Sequence, residues 1–397
     1  MQPSTSNQPP TRRDVRLVRV LYALYIGGNG FLYPFWGLFL RRHGLSGTQI
    51  GFISMVMSGA VLLAAVGWGR LSDRTTAPKR ILQFALFLSA VVTIILRFQD
   101  SFWPLLIVAG FYGASVAGIQ PMLYTLGYDL TERMPSIGFG SVRVWGSIGW
   151  VVFVLLGGWA IQRANLGFGF YGQTGAFLLA IAVIFFLQFS PSRYEVAETS
   201  GGIQKDLLKN RDLLILTAAV AVGYLARVGP LRFESIYLDE LGAGEMLIGV
   251  VNMAGAVLEI GAMFWADRLV AKRSFLTILK VNWVIEIVIM AAILIHPSIP
   301  VFIVVRAIGG ISFSLYSVAL VGVIGRLVGG DSLGAWMAML TVTVPSLMEI
   351  VGSPLSGVAF DAFGAYWLYA IALGCDALAL LLIQGVRTRS RRTMAAA

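Results

Sequence analysis

Long apolar stretches alternate with short polar segments along almost the whole chain. A helix needs about 20 mainly apolar residues to cross the hydrocarbon core of a bilayer, and twelve stretches reach about this length. Each stretch is continuously apolar, whereas a half-buried strand would alternate apolar and polar residues. The pattern therefore predicts an all-α integral membrane protein with twelve transmembrane helices at 17–40, 48–69, 81–98, 102–127, 140–162, 171–190, 213–237, 246–266, 275–295, 299–325, 333–359 and 365–386.

The longest polar segment between two spans lies almost halfway along the chain and is rich in Ser and Gly. It predicts a linker at 191–212 between two six-helix bundles, 17–190 and 213–386. The polar residues 1–16 are expected to form a disordered tail, and the basic residues 387–397 form a second tail.

Short motifs recur at matching places in the two halves. Asp73-Arg74 follows the second span and Asp267-Arg268 follows the eighth, while Gly158 in the fifth span matches Gly357 in the eleventh. Two similar bundles related by an axis along the membrane normal are a transporter architecture. The repeats therefore favour two pseudo-symmetric halves.

The composition agrees with a membrane protein and excludes several other classes. Hydrophobic residues make up 57% of the chain and charged residues 13%, whereas soluble domains carry about 25% charged residues. One Cys and two His exclude a disulfide framework and Cys-based zinc sites. We therefore expect no metal and no cofactor.

The net charge of +10 is explained by topology. Most Lys and Arg residues lie in the two tails and in the loops after even-numbered spans, and positively charged loops stay in the cytoplasm. Both termini are therefore expected in the cytoplasm, with the basic loops against anionic membrane lipid. A nucleic-acid partner is not expected.

The loop after the second span carries a motif of one Gly, an acid four residues later and a basic cluster. It consists of Gly69, Asp73-Arg74 and Lys79-Arg80, and it resembles the signature of the major facilitator superfamily. That resemblance implies the major facilitator fold and transport by alternating access. It also implies a cytoplasmic gate, for which the candidates here are Gly69, Asp73, Arg74, Asp267 and Arg268.

The fifth span resembles that of the phenylpropionate-permease-like and lactose-permease-like proton symporters in the segment 139–150. By this resemblance, Arg143 matches an arginine that helps to hold a sugar, and Trp150 matches the aromatic ring on which the sugar stacks. Asp129 falls where this branch has an acid at the end of the fourth helix. These three residues are therefore candidates for substrate binding.

Ten charged residues fall within the predicted spans, although a charge at the bilayer centre costs about 2.5–3.5 kcal/mol on insertion scales. We expect them to be paired or to face a wet cavity. By the resemblance, Arg227 and Arg306 lie on cavity-lining helices and are candidates for substrate binding, and Glu234, Glu259 and Glu349 are candidates for proton coupling. The remaining charges are Arg232, Lys280, Glu286 and Asp376, of which Glu286 and Asp376 lie on helices that are usually peripheral and are expected to form structural ion pairs.

Polar and aromatic residues recur every four positions on two further helices. The first helix carries Asn29 between Tyr25 and Tyr33, and the fourth carries Gln120 and Tyr124. Such side chains suit a solute that offers rings and hydroxyl groups, although interhelical hydrogen bonding is an equally good explanation. Asn29, Gln120 and Tyr124 are included as candidates for substrate binding. Arg227 and Glu234 share one face of the seventh helix, and Pro230, which lies between them, can open the helix and free backbone groups to line a cavity.

The first functional hypothesis is a monomeric secondary active transporter. It would import a sugar, nucleoside or aromatic acid together with protons, with the proton gradient as its energy source. The alternative is a proton-coupled drug or metabolite exporter, although the Gly-Pro signature of such exporters is missing from the fifth span. A membrane-embedded enzyme is a remote alternative, because no set of nucleophile, His and acid is visible. A channel fits the repeat less well than alternating access does.

Overall fold

The computed structural model describes residues 10–74, 77–134, 136–188, 210–272, 274–328 and 333–386. The side chains of 72–74, 263–272 and 333–335 are outside this description. Within it the chain is helical, without strands. The twelve helices are α1 (12–42), α2 (Gly47–Arg74), α3 (Pro78–Arg97), α4 (Phe102–Arg133), α5 (Phe139–Arg163), α6 (Gly167–Phe185), α7 (Arg211–Glu240), α8 (Glu245–Lys272), α9 (Phe275–Ile295), α10 (Ile299–Leu327), α11 (333–363) and α12 (Ala365–Ile383).

Eleven helices of the described residues are long and apolar enough to cross a membrane. Large apolar side chains on their outer surface are exposed, as Leu63 at 79% and Phe185 at 75% illustrate. A surface of this kind is covered by lipid in a membrane protein. The predicted all-α membrane fold is therefore confirmed.

The helix α1 differs from the prediction at both its start and its middle. It begins at Arg12, because Thr11 and Asp14 form a capping box that satisfies free N–H groups of the first turn, so the predicted tail is helical from this point. A π-helical segment at Ala23–Gly27 and two short 3-10 turns then interrupt it. The interruption sends the second part, Trp36–Arg42, toward α7.

The two halves of the molecule touch mainly through three helix pairs, α2 with α11, α5 with α8, and α1 with α7. Their contacts lie at the end that carries the loops 43–46, 164–166 and 241–244, which we call the sealed end. The opposite end carries both termini and the loop 134–138, and we call it the terminal end.

Side-chain packing shows the same difference between the two ends. One apolar cluster at the sealed end contains residues of both halves, including Phe39, Phe170, Phe233 and Phe360. Two further clusters belong to one half each: Leu126 lies in the cluster of the first half and Leu320 in that of the second. The halves therefore share a core at the sealed end and have separate cores toward the terminal end.

Glycines make close approach possible at the sealed end. A Cβ atom on Gly357 would collide with the backbone of Gly47, and one on Gly158 would lie 2.7 Å from the carbonyl oxygen of Glu245. Gly158 and Gly357 are the residues that the internal repeat matched, so the two interfaces are equivalent. Small residues allow such backbone contact between membrane helices.

Candidate functional site

A cavity of about 540 Å³ lies between the two halves. This volume suits a small organic ligand. Residues from α1 and α5 form the wall on the first half, and residues from α7 to α12 form the wall on the second. The polar and aromatic lining consists of Tyr33, Arg143, Ser147, Trp150, Tyr224, Arg227, Glu234, Asn252, Glu259, Glu286, Arg306, Phe313, Glu349 and Tyr369.

Three Arg–Glu ion pairs stabilise the charged wall of the second half. Each pair joins two different helices, and the nitrogen–oxygen distances are 2.9 Å for Arg227–Glu286, 3.1 Å for Arg232–Glu349 and 2.6 Å for Arg306–Glu234. Pairing lowers the cost of burying a charge. The pairs therefore hold α7 against α9, α10 and α11.

The sequence allowed α7 to open at Pro230, but the helix is continuous through this residue. Arg227 and Glu234 lie on this one helix, and each binds a partner on another helix. The charged side chains of α7 are therefore positioned at the cavity by ion pairs with neighbouring helices. A break in α7 is not needed.

The ion pair of Arg232 and Glu349 is also tied to the first half. Ser58 on α2 donates a hydrogen bond of 2.7 Å to the same carboxylate oxygen of Glu349 that binds Arg232. Ser58 was not a sequence candidate, since one small polar residue in an apolar helix carries no distinctive signal. Glu349 is thus a contact between the halves as well as a residue of the cavity wall.

Arg143 on α5 is the cation of the first-half wall. It donates hydrogen bonds of 3.3 Å to the Tyr124 hydroxyl and 3.4 Å to Ser147. Among the described residues it forms no salt bridge. Glu259 lies on α8 in the second half, and Arg143 is the charged group that acts on it from α5 in the first half. Glu259 likewise has no salt bridge in the described part of the chain.

Two aromatic rings line the same wall of the cavity as Arg143. The interruption of α1 brings Tyr33 next to Trp150 of α5, with an edge-to-face arrangement and 6.2 Å between ring centroids. Pro34 has no N–H group to continue a regular helix, which favours a turn here. The rings of Tyr33 and Trp150 therefore offer a planar group a surface in the cavity that Arg143 also lines.

Four of the predicted substrate-binding residues are not among those that line the cavity: Asn29, Gln120, Tyr124 and Asp129. Asn29 donates a hydrogen bond to the Tyr25 carbonyl and accepts one from Gln173, so it joins α1 to α6. Gln120 donates to the Tyr124 hydroxyl, and Tyr124 in turn holds Arg143. Hydrogen bonding within the first half therefore accounts for Asn29, and Gln120 and Tyr124 reach the site through Arg143.

Asp129 lies away from the cavity and its side chain is buried. The predicted residues Arg143, Trp150, Arg227 and Arg306 do line the cavity, as do Glu234, Glu259 and Glu349. The sequence did not single out Ser147, Tyr224 or Tyr369, because an isolated hydroxyl group in a span gives no periodic signal.

The expectation for the two peripheral acids is met by only one of them. Glu286 forms its ion pair with Arg227 and also lines the cavity. Asp376 on α12 is 1% exposed, and neither carboxylate oxygen has a hydrogen-bond partner among the described residues. The prediction of a structural ion pair was therefore wrong for Asp376.

The predicted cytoplasmic gate lies at the terminal end, at the ends of α2 and α8. Gly69 is buried within α2. The side chains of Asp73, Arg74, Asp267 and Arg268 lie outside the described residues, so the gate stays a prediction.

The comparisons with known proteins agree with this architecture. A sequence model of the group described as the MFS_1 like family matches residues 16–371. An uncharacterised transporter of Bacillus subtilis, YwbF, is 23% identical over 312 residues, which cover 77% of this chain and 76% of that protein. A probable 3-phenylpropionic acid transporter of Escherichia coli is 22% identical over 385 residues, covering 90% of this chain and 95% of that one.

A solved structure shows the same fold at low sequence identity. The crystal structure of the nucleoside transporter NupG superimposes with a TM-score of 0.80 at 11% identity, covering 96% of this chain and 100% of that chain. At this identity the likeness concerns the fold alone.

Proposed function

The chain belongs to the MFS_1-like family of multi-pass membrane transporters, and we propose that it moves a small organic solute across the cell membrane by proton symport. The observation that carries this proposal is that Arg143 and Glu259 line the same cavity from its two sides. They come from opposite halves, they act on each other across one cavity, and neither forms a salt bridge among the described residues. A cation and an acid in these positions suit a solute anion and a proton.

The proposed orientation places both termini and the terminal end in the cytoplasm. The basic loops and tails at this end support it through the positive-inside rule. The described hydrogen bonds between the halves lie at the sealed end, apart from the one between Ser58 and Glu349 deeper in the membrane. The structure then corresponds to a state that is closed to the outside.

The proposed substrate has a ring and at least one anionic or hydrogen-bond-accepting oxygen. Arg143 offers a fork of donors that binds a carboxylate in two places at once, and Tyr33 and Trp150 line the same cavity and offer their rings to a planar group. An aromatic acid, a sugar and a nucleoside all meet this description. The similarity to a probable 3-phenylpropionic acid transporter supports testing aromatic acids first.

Glu259 is the proposed coupling acid, in preference to Glu234 and Glu349, which are held by Arg306 and Arg232. With Arg143 and Glu259 both charged, the empty cavity is electrically balanced. Binding of a solute anion alone or a proton alone leaves one uncompensated charge, which is costly in a closed, dry interior. Binding of both restores the balance, so the cavity closes either empty or fully loaded.

The remaining site residues take supporting roles in this proposal. Arg227 and Arg306 contact the far side of the solute while paired with their glutamates. The predicted gate at the terminal end closes when the sealed end opens. The proposal assigns no catalytic role and no cofactor, and its energy source is the proton gradient acting on a monomer.

A ligand screen followed by uptake tests the proposal. Purified protein is heated with aromatic acids, sugars and nucleosides, and a ligand of the native state raises the unfolding temperature by mass action. Each acid is paired with its amide, which keeps the ring and removes the charge. We expect the acid 3-phenylpropionate to stabilise the wild type more than its amide does, and we expect Arg143→Ala to remove this difference. An equal response to acid and amide would contradict anion recognition.

Export is distinguished by the direction of coupling. In vesicles with protein in a known orientation, a symporter accumulates the solute on the side toward which protons flow. A proton-coupled exporter depletes the solute from that side. Depletion would contradict the symport proposal while leaving the membership in the family intact.

A further inference from the structure

Asp376 is a buried acid that the proposed transport cycle does not use. Its side chain is 1% exposed, and both carboxylate oxygens lack a hydrogen-bond partner within the described residues. An ionised carboxylate that is buried without partners costs several kcal/mol. The group therefore needs either a proton or a bound cation.

The charges around Asp376 come from two neighbouring helices. Its helix, α12, packs mainly on α7 and α9 and less extensively on α11. Arg227 of α7 and Glu286 of α9 are the charged groups that act on it, and α11 contributes none among the described residues. Cys375, its neighbour in the chain, is a further titratable group that interacts electrostatically with this acid.

Arg227 balances only one of the two carboxyl groups. Its guanidinium donates a hydrogen bond of 2.9 Å to Glu286, whose side chain is 10% exposed. The Ser312 hydroxyl lies 2.7 Å from the same oxygen of Glu286 and is also within hydrogen-bond distance of the amide oxygen of Asn282. If Asp376 were ionised as well, two buried carboxylates that act on each other would share one cation, and their mutual repulsion disfavours this doubly ionised state.

We propose that Glu286 and Asp376 form a proton-binding pair, in which the two carboxyl groups together hold one proton and Arg227 balances the remaining negative charge. Arg227 donates a hydrogen bond to Glu286, whereas neither carboxylate oxygen of Asp376 has a hydrogen-bond partner among the described residues. The proton therefore resides mainly on Asp376. Glu286 and Arg227 line the cavity, which gives this proton a route to the solvent.

A metal ion fits the same place less well than a proton. Metal cations such as Na⁺ and Ca²⁺ are held by several oxygen ligands. The nearest additional oxygens are already committed, because the Ser312 hydroxyl lies 2.5 Å from the amide oxygen of Asn282 and also binds Glu286. No group of acids, His or Cys in the described part of the chain has the arrangement of a metal site.

The proton-binding pair is independent of the proposed coupling acid Glu259. It is an equilibrium property of the folded protein and holds whether or not the protein transports anything. A test that needs no solute therefore separates a failure of this inference from a failure of the proposed function.

Infrared spectroscopy of the purified full-length protein tests the pair directly, because a neutral carboxyl group has a carbonyl stretch that a carboxylate lacks. The measurement uses the Glu259→Gln background at neutral pH. We expect Asp376→Asn to remove one carboxyl band and Glu286→Gln to remove the same band, since the remaining acid then ionises beside Arg227. The double variant should remove no more. The matched control Asp361→Asn, which replaces an acid held by donors at the sealed end, should leave the band unchanged.

Three results would overturn the pair. Losses that add in the double variant would show two independent protons, and no loss in either single variant would show that both acids are ionised. A band that disappears when K⁺ is replaced by Na⁺ at constant pH would show that a metal ion competes for the site.

The Glu259→Gln background by itself keeps the inference falsifiable if the Asp376 and Glu286 variants do not fold. The folded protein holds a proton that the unfolded chain releases at neutral pH. Raising the pH therefore lowers the free energy of unfolding. For one such proton, the folding equilibrium constant falls about tenfold per pH unit. We expect this slope in the Glu259→Gln background and a reduced slope after Asp376→Asn. A background protein with neither the slope nor a carboxyl band would contradict the pair.

Discussion

The carboxylate of Asp361 in the second half caps the first turn of α2 in the first half by accepting two hydrogen bonds of 2.7 Å from Thr48, one from its backbone N–H and one from its hydroxyl. The backbone N–H of Gly47 donates to the other oxygen of the same carboxylate. The equivalent contact in the internal repeat is made by Gln162, whose side-chain oxygen accepts from the N–H of Met246 at the start of α8. The sealed end is therefore closed by two related helix caps, one of them charged.

Removal of the charged cap should favour opening of the sealed end. A carboxylate at a helix N-terminus contributes about 1 kcal/mol, so Asp361→Ala should shift the ratio of open to closed molecules about fivefold. Spin labels at Phe98 and Ile295, which are 62% and 84% exposed on the two halves at this end, report the distance in a Cys375→Ser background. We expect a larger share of long distances.

The control for this experiment is Asp100→Ala. Asp100 lies at the same end but contacts His43 within its own half, at 3.5 Å. A distance distribution that changes equally in both variants would mean that the effect is a general disturbance and not the loss of the cap.

Arg143→Ala should weaken solute binding about 10- to 100-fold, because a hydrogen bond to a charged group contributes about 1.5–3 kcal/mol. Arg143→Lys keeps the charge but loses the fork of donors, so it should fall between wild type and Ala. Titration calorimetry with the solute found in the screen measures both. Arg163→Ala serves as the control, since Arg163 stacks on Trp159 at the sealed end. Unchanged affinity in Arg143→Ala would remove this residue from the site.

Glu259→Gln should keep exchange of solute across the membrane and lose uphill accumulation. The neutral amide imitates the protonated acid, so the loaded carrier still reorients, but no proton is released. Glu349→Gln is the comparison, because Glu349 binds Arg232 and Ser58 and its loss should impair stability or closure as well. Full accumulation by Glu259→Gln would place the coupling acid elsewhere.

The ion pair of Arg306 and Glu234 should behave as one unit in stability measurements. Removal of one partner leaves a buried or half-buried charge without compensation, which costs a few kcal/mol. Glu234→Gln and Arg306→Gln should each lower the unfolding temperature, and the double variant should lower it by less than the sum. Additive losses would show that the 2.6 Å contact does not couple the two residues.

The sequence predicted the membrane fold well because the length and the continuity of an apolar stretch are local properties. The interruption of α1 was not predictable in this way. A Cβ atom on Gly27 in this segment would collide with the backbone of Gly149 on α5. The irregular turn therefore lies where α1 packs closely against α5, a contact between distant parts of the chain that local sequence does not encode.

The sequence also predicted that charged residues of the spans would gather at one site, because burial of charge demands partners. It did not predict the partners. The spacing of Arg227 and Glu234 placed both on one helix face, yet packing of α7 against α9 and α10 directs them to Glu286 and Arg306. Nor did it predict that the Asp376 carboxylate has no hydrogen-bond partner within the described residues, since the charges around it come from helices far apart in the sequence.

Solute accumulation in proteoliposomes under an imposed pH gradient tests the central claim most directly. The vesicles contain purified protein and are alkaline inside, and the solute is the one identified by the thermal screen. Symport predicts that the solute concentration inside rises above the concentration outside. A protonophore, which removes the pH gradient, should then bring the inside concentration down to the outside concentration. Uptake that only equilibrates the solute, at a rate and to a level that the pH gradient does not change, would contradict proton symport.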